Sequence, residues 1–222
     1  DQAMTVVVSI ILVYTSLNIC GNLVLYFFRF DVGNEGAYSI FAAVAFAAQV
    51  LVMMVIPLFR KRFSKSQLFI SGFIIQIAGF AVILIMAFAK LYTPQSWYIL
   101  CLPGILIYLG YGMLNVIMTI FLSDSVDYGE VMNGTREESV IFSMQTFTVK
   151  LASGVAVFLA GLVVDLIHLD TAAAVQTQDT LDALRMWMTI PSVILLIVGI
   201  FIFKRFYKLD DTRMEEIKSK LN

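Results

Sequence analysis

Residues 60–89 read RKRFSKSQLFISGFIIQIAGFAVILIMAFA. A basic cluster, Arg60, Lys61, Arg62 and Lys65, gives way to a run over 67–89 without one Asp, Glu, Lys or Arg. About 20 apolar residues are what a helix needs to cross roughly 30 Å of hydrocarbon. Only helices and closed barrels satisfy their backbone polar groups in lipid. The run is continuous rather than alternating, so it predicts a spanning helix and not a barrel strand.

Five more apolar runs flank it, one of them interrupted by Lys150. Spans are expected at 4–28, 35–59, 67–89, 97–123, 139–166 and 186–204. The fold class is therefore an all-α membrane protein, with six transmembrane helices in one bundle over residues 1–205. Residues 206–222 read as a cytoplasmic tail helix, since Thr212 and Glu215 fit a capping box and Glu216 and Lys220 a favourable i,i+4 pair. Composition agrees: 60% of residues are hydrophobic and 14% charged, whereas soluble domains carry about a quarter charged residues. The mean hydropathy is +0.89. A net charge of −1 gives no electrostatic footprint for nucleic acid. Cys20 and Cys101 lie inside apolar runs and read as small buried hydrophobes. The chain begins Asp1-Gln2-Ala3-Met4, with neither an initiator Met at position 1 nor a signal-peptide pattern, and is expected to be a piece of a longer chain.

Lys and Arg set the sidedness. The 60–65 cluster and the group Lys204, Arg205 and Lys208 are separated by four spans, so they fall on one side, expected to be the cytoplasm, with both chain ends there. The junction at 124–138 lies on that side as well. Six spans fit two inverted repeats of three helices, although no residue-level repeat is visible.

Polar residues inside the spans are the functional candidates. Tyr14, Asn18, Asn22 and Tyr26 recur at four-residue steps and make one slowly winding stripe. Tyr108, Tyr111, Asn115 and Thr119 do the same in the fourth span. Amides in lipid are costly unless they face protein or water, so each stripe reads either as interhelical glue or as a cavity wall. Hydroxyls, amides and aromatic planes are what a sugar requires. Lys150 is the sharpest signal: it sits roughly 16 Å into its span at 1.5 Å per residue, near the midplane. An ammonium there needs a partner or water, and no carboxylate of this chain lies at the same expected depth. Gln145, Thr146 and Val149 lie within about a turn and a half of it. No nucleophile–base constellation and no metal-ligating cluster is visible, so catalytic and metal-binding residues are expected to be none, and no cofactor is implied.

The stretch 124–150 contains Asp124, Asp127-Tyr128-Gly129-Glu130, Arg136, Glu138, Phe142-Ser143, Gln145-Thr146 and Lys150. In this it closely resembles the glycoside–pentoside–hexuronide:cation symporter family of the major facilitator superfamily. The resemblance implies a twelve-helix transporter of two six-helix bundles in a bacterial cytoplasmic membrane. This chain would be the second bundle (helices 7–12), and the N-terminal bundle would be its partner. It implies sugar symport with Na⁺ or H⁺ by alternating access, the cation site lying in the first bundle. It also implies sugar contacts by Gln145, Thr146, Val149 and Lys150. Where the family's tenth helix carries a sugar-contacting Trp, this sequence has Asn115. Tyr111, one turn earlier, is expected to supply the ring, and the amide points to a more polar substrate such as a hexuronide or a pentoside. Asn18 and Asn22 complete the expected substrate wall. Asp124, Asp127, Tyr128, Glu130, Arg136 and Glu137 are expected on the 124–138 loop as gate charges that pair across the bundle interface. Partners are therefore a sugar, a coupling cation, membrane lipid and the N-terminal bundle. The competing readings are a carrier of lysolipids or similar amphiphiles and a non-transporting regulatory half-protein.

Overall fold

The structure is a computed structural model that describes residues 2–135 and 137–207. The tail helix expected at 206–222 lies, beyond Tyr207, outside the described residues. Six helices among those described are long and apolar enough to cross a membrane. They are α1 (Gln2–Tyr26), α2 (Ala37–Phe59), α3 (Lys65–Phe88), α4 (Cys101–Asn133), α5 (Glu138–Leu166) and α6 (Gln178–Phe206).

Local chemistry fixes several ends. Ser64 Oγ accepts from the Gln67 amide at 3.1 Å while Gln67 Oε1 accepts from the Ser64 amide at 3.0 Å, a complete capping box at the start of α3. The Thr177 hydroxyl accepts from the Thr180 amide at 3.2 Å and opens α6. α1 runs into a π-helical segment, Phe27–Val32, closed by Gly33 at φ 74°. That left-handed conformation costs glycine no side-chain clash. The wider turns of the segment shift the helical register and carry Asp31 toward α6.

Two helices are longer than hydropathy suggested. α4 continues ten residues past the expected end at 123, to Asn133, and is stopped by Gly134 at φ 72°. α6 begins at Gln178, ahead of the expected 186. Loss of hydrophobicity marks where hydrocarbon ends, but a helix with charged side chains continues freely beyond it. Segment 124–133 is therefore helical, and the connection to α5 shrinks to residues 134–137.

The main helix contacts are α3 with α4, α1 with α6, α2 with α4, α1 with α5, α3 with α6, and α1 with α4. Exchanging α1 for α4, α2 for α5 and α3 for α6 returns the same set. Because three spans reverse the direction of crossing, this is the packing of an inverted repeat. α1 and α4 form the centre, α3 and α6 pack together behind them, and α5 and α2 flank them.

The exchange also relates individual residues. Lys65, Gly72 and Gly79 follow one another at seven-residue steps on α3, as Arg185, Ser192 and Gly199 do on α6. At the first position, Lys65 pairs with Asp124 on α4, their side chains 6% and 4% exposed. Its counterpart Arg185 pairs with Asp31 at the end of α1, at 3% and 4%. At the second position, a Cβ on Gly110 would stand 2.6 Å from the Gly72 carbonyl oxygen, so α3 and α4 touch backbone to backbone. On the other repeat the Ser192 hydroxyl donates to the Ser16 carbonyl at 2.7 Å. Lipid is as apolar as leucine, so such close packing and polar contacts, rather than hydrophobic burial, hold membrane helices together. The two ion pairs lie at opposite ends of the bundle: Lys65–Asp124 at the end carrying the 60–62 basic cluster, Asp31–Arg185 at the other.

Candidate functional site

The polar stripes of α1 and α4 meet on the side turned away from α3 and α6. Asn115 Nδ2 donates to Tyr14 Oη at 2.9 Å, linking the two central helices. The Tyr14 and Tyr111 rings pack edge to face with centroids 5.5 Å apart, and Tyr108 lies 6.5 Å from Tyr111. Tyr111, expected to offer its ring to a ligand, is only 8% exposed; the partly exposed ring at this level is Tyr14. On α1, Asn18 Nδ2 donates to the Tyr14 carbonyl and Asn22 Nδ2 to the Asn18 carbonyl, each at 2.7 Å. Both side chains, like Asn115, stay partly exposed. Toward the end opposite the basic cluster, Asn22 and Tyr26 share a recess with Val157, Gly161 and Asp165 of α5.

The α5 edge carries the cation. Lys150 stands in the middle third of its helix, exposed, in an open recess of about 570 Å³ with Ser139, Phe142, Ser143, Thr146 and Phe147. No hydrogen bond or ion pair joins it to another described residue. The Thr146 hydroxyl donates to the Phe142 carbonyl at 3.1 Å. Gln145 and Val149 lie on the neighbouring stripe of the helix, both partly buried, with Val149 packed against the core. Asn18 and Asn22 thus lie on the α1 stripe that Asn115 joins at Tyr14, while Thr146 and Lys150 share a recess lined by α5 alone.

The expected gate residues separate into groups. Asp127, Tyr128 and Glu130 sit on the last turns of α4 and are partly buried, and Glu137 is exposed just before α5. Neither Asp127 nor Glu130 is an unpaired charge. Tyr128 and Glu137 line a recess of about 460 Å³ between the start of α1, the end of α4 and the start of α5. Asp124 departs from its expected place on a loop at the bundle interface. It points into the bundle and is held by Lys65, because α4 stays helical at this position and turns it toward α3. Arg136 lies outside the described residues.

Sequence reasoning did not single out Asp31, Lys65 or Arg185 as structural partners, and it left Tyr14 out of the expected substrate wall. Tyr14 was visible as the first member of the α1 stripe. The ion pairs join residues 59 and 154 positions apart, and nothing local signals them. Tyr92 Oη also donates to Asp31, at 2.7 Å. Burial first, and this bond second, push the Tyr92 phenol well above the usual tyrosine range.

Over residues 1–211 the sequence matches the family described as MFS/sugar transport protein. The chain belongs to that family. Its relatives include an uncharacterized symporter of Bacillus subtilis strain 168, 26% identical over 99% of this chain and 46% of the relative. An isoprimeverose transporter of Lactiplantibacillus pentosus is 28% identical over 84% of the chain and 37% of that protein. A raffinose carrier protein of Pediococcus pentosaceus is 21% identical over the whole chain and 34% of the relative. The chain spans less than half the length of these relatives. The resemblance to the glycoside–pentoside–hexuronide:cation symporters holds, the bundle is an integral membrane structure, and the family is one of transporters rather than enzymes.

Proposed function

We propose that this chain is one six-helix half of a sugar:cation symporter working by alternating access in a bacterial cytoplasmic membrane. Its basic end would face the cytoplasm, as Arg60, Lys61 and Arg62 favour. The observation that carries the reading is Lys150. It is a midspan cation on an exposed face of α5, in a chain whose relatives are named for raffinose and isoprimeverose transport. A charge at that depth is sustained by water or by a partner from another bundle, which is the environment of a central transport cavity. Lys150, Gln145, Thr146 and Val149 would contact the sugar from α5, with Asn18, Asn22, Asn115 and Tyr111 forming or backing the opposite wall.

The coupling cation, Na⁺ or H⁺, would bind on the other bundle. Its binding would favour the state that holds sugar, a coupling that is reciprocal by linkage. Asp127, Tyr128, Glu130 and Glu137, with Arg136, would meet the other bundle when the cytoplasmic side is shut. The test is uptake of labelled galactosides, xylosides and glucuronides by the full-length transporter in vesicles, with and without a Na⁺ or proton gradient. Gradient-driven accumulation of one class supports symport. No uptake of any sugar by correctly inserted protein removes the reading in favour of an amphiphile carrier or a non-transporting half.

A further inference from the structure

α5 carries two exposed faces, and only one of them belongs to the candidate site. Leu159 lies beyond Lys150 by about two and a half turns, which puts it on the opposite side of the helix. On that side α5 and α6 scarcely touch, because α5 packs chiefly on α1, burying Ala152, Ala156 and Ala160. The gap is a groove of about 550 Å³, with Leu159 on one wall and Met186, Trp187, Ile190 and Ile194 on the other. Ile19 of α1 lies buried between the walls, whose residues are all exposed. The Trp187 indole is the only polar group among the lining side chains. Along α6 the lining runs from Met186, next to Arg185, to Leu195. At 1.5 Å per residue this is roughly 14 Å, about one leaflet of a hydrocarbon core roughly 30 Å thick.

We propose that this groove seats one acyl chain of a phospholipid, in the leaflet opposite the basic cluster, and that the chain braces α5 against α6. The proposal needs only that the bundle spans a membrane and is independent of what the protein carries. The groove is continuous with the exposed apolar surface of α5 and α6, which includes Leu162, Ile197 and Phe201 and which lipid covers. The other bundle of the proposed transporter would meet the face with Lys150, on the far side of α5. A helix about 10 Å across would occupy roughly 1,100 Å³ over the same length, twice the volume of the groove, so a second copy does not fit where a single chain does. Lipid is as apolar as the groove, so burial supplies no hydrophobic gain. What holds the chain is contact on three sides, since dispersion grows with the number of atoms touched. Those contacts fall on α5, the helix that bears Lys150 and lacks direct support from α6.

The experiment places the full-length transporter in vesicles of phosphatidylethanolamine and phosphatidylglycerol, with a trace of phosphatidylglycerol bearing a diazirine midway along one chain. After illumination, labelled residues are mapped by mass spectrometry. Label should gather on Leu159, Met186, Ile190 and Ile194 several-fold over Ile85. That control is exposed on α3 at the same depth, three residues from the Phe88 ring that Arg185 approaches to 5.7 Å. Ile194→Trp, which fills the groove with an indole, should cut the groove label several-fold and leave Ile85 unchanged. Stripping lipid should lower the unfolding temperature of the wild type more than that of Ile194→Trp, where the indole stands in for the chain. Equal label in the groove and at Ile85 overturns the site, a result the wild type gives even if the variant does not fold. A folded Ile194→Trp labelled like the wild type overturns it too, as do crosslinks through α6 between two copies. Equal loss of stability on stripping overturns the brace.

Discussion

Arg185 grips Asp31 from 154 residues away, Nε donating to Oδ2 at 2.8 Å and Nη2 to Oδ1 at 2.6 Å. The guanidinium is completed by Asp182 at 2.7 Å and lies 5.7 Å from the Phe88 ring centroid. Removing one partner of a buried pair strands a charge and costs about 3–5 kcal/mol, whereas replacing both with apolar residues is often neutral. Arg185→Leu alone should therefore lower the thermal stability of the detergent-solubilised transporter strongly. Asp31→Leu combined with Arg185→Leu should recover much of the loss. Additive losses in the double mutant would contradict the pairing.

The repeat predicts the same behaviour at the other end. Lys65→Met should destabilise, and Lys65→Met with Asp124→Leu should be milder than the single change. If Asp124 served mainly as a gate at the bundle interface, its replacement would alter cytoplasmic cysteine accessibility more than stability. We expect the reverse order, measured by labelling and by thermal unfolding of the same variants.

Lys150→Ala should abolish or severely reduce sugar uptake while changing stability by less than about 0.5 kcal/mol, as for an exposed side chain without partners among the described residues. Uptake and unfolding measured on one preparation separate the two effects. Wild-type uptake by this variant would discard Lys150 as a site residue.

Gly110→Ala should cost roughly 1–3 kcal/mol, the usual range for overpacking. Its Cβ would lie 2.6 Å from both the Gly72 carbonyl oxygen and the Gln76 amide nitrogen, and backbone cannot step aside. Gly154→Ala is the control, since a Cβ there meets nothing within 4 Å. It should be neutral, or stabilising through helix propensity by up to about 1 kcal/mol.

Tyr92 should stay protonated at the pH where free tyrosine ionises, about 10, because burial and the bond to Asp31 raise its pKa. The sign follows from linkage. The native state holds this proton more tightly than the unfolded chain, so the associated stability is complete below pH 10 and declines above it. Tyrosinate absorbance of the folded protein near pH 10 should be the same for wild type and Tyr92→Phe. A smaller signal in the variant would show that Tyr92 titrates normally.

The spans, the polar stripes and Lys150 were legible because each is a one-dimensional pattern. Apolar length and a period near four need no partner to be seen. The extension of α4 to Asn133 was not, since hydropathy tracks hydrocarbon and Asp124, Asp127 and Glu130 continue the helix beyond it. Burial of Tyr111 behind Tyr14 was hidden too, because a stripe gives the face of a helix but not what covers it. The inverted repeat was legible as a count of spans, but its residue-level correspondence was not, for a chemical reason. Lys65 and Arg185, or Gly72 and Ser192, share a role without sharing an identity. Their common seven-residue spacing becomes visible only once α3–α4 and α1–α6 are seen to be the same contact.

Each ion pair ties one repeat to the other, and the two ties sit at opposite ends. A push that spreads the helices at either mouth therefore meets a clamp, and the strain passes along the barrel of the bundle instead of being absorbed at a joint. In the proposed transport cycle such a body would turn as one piece, like a lever arm. The work that tilts it would then come from contacts made outside it, so mutations that loosen Asp31–Arg185 or Lys65–Asp124 would add slack to the stroke before they changed what is carried.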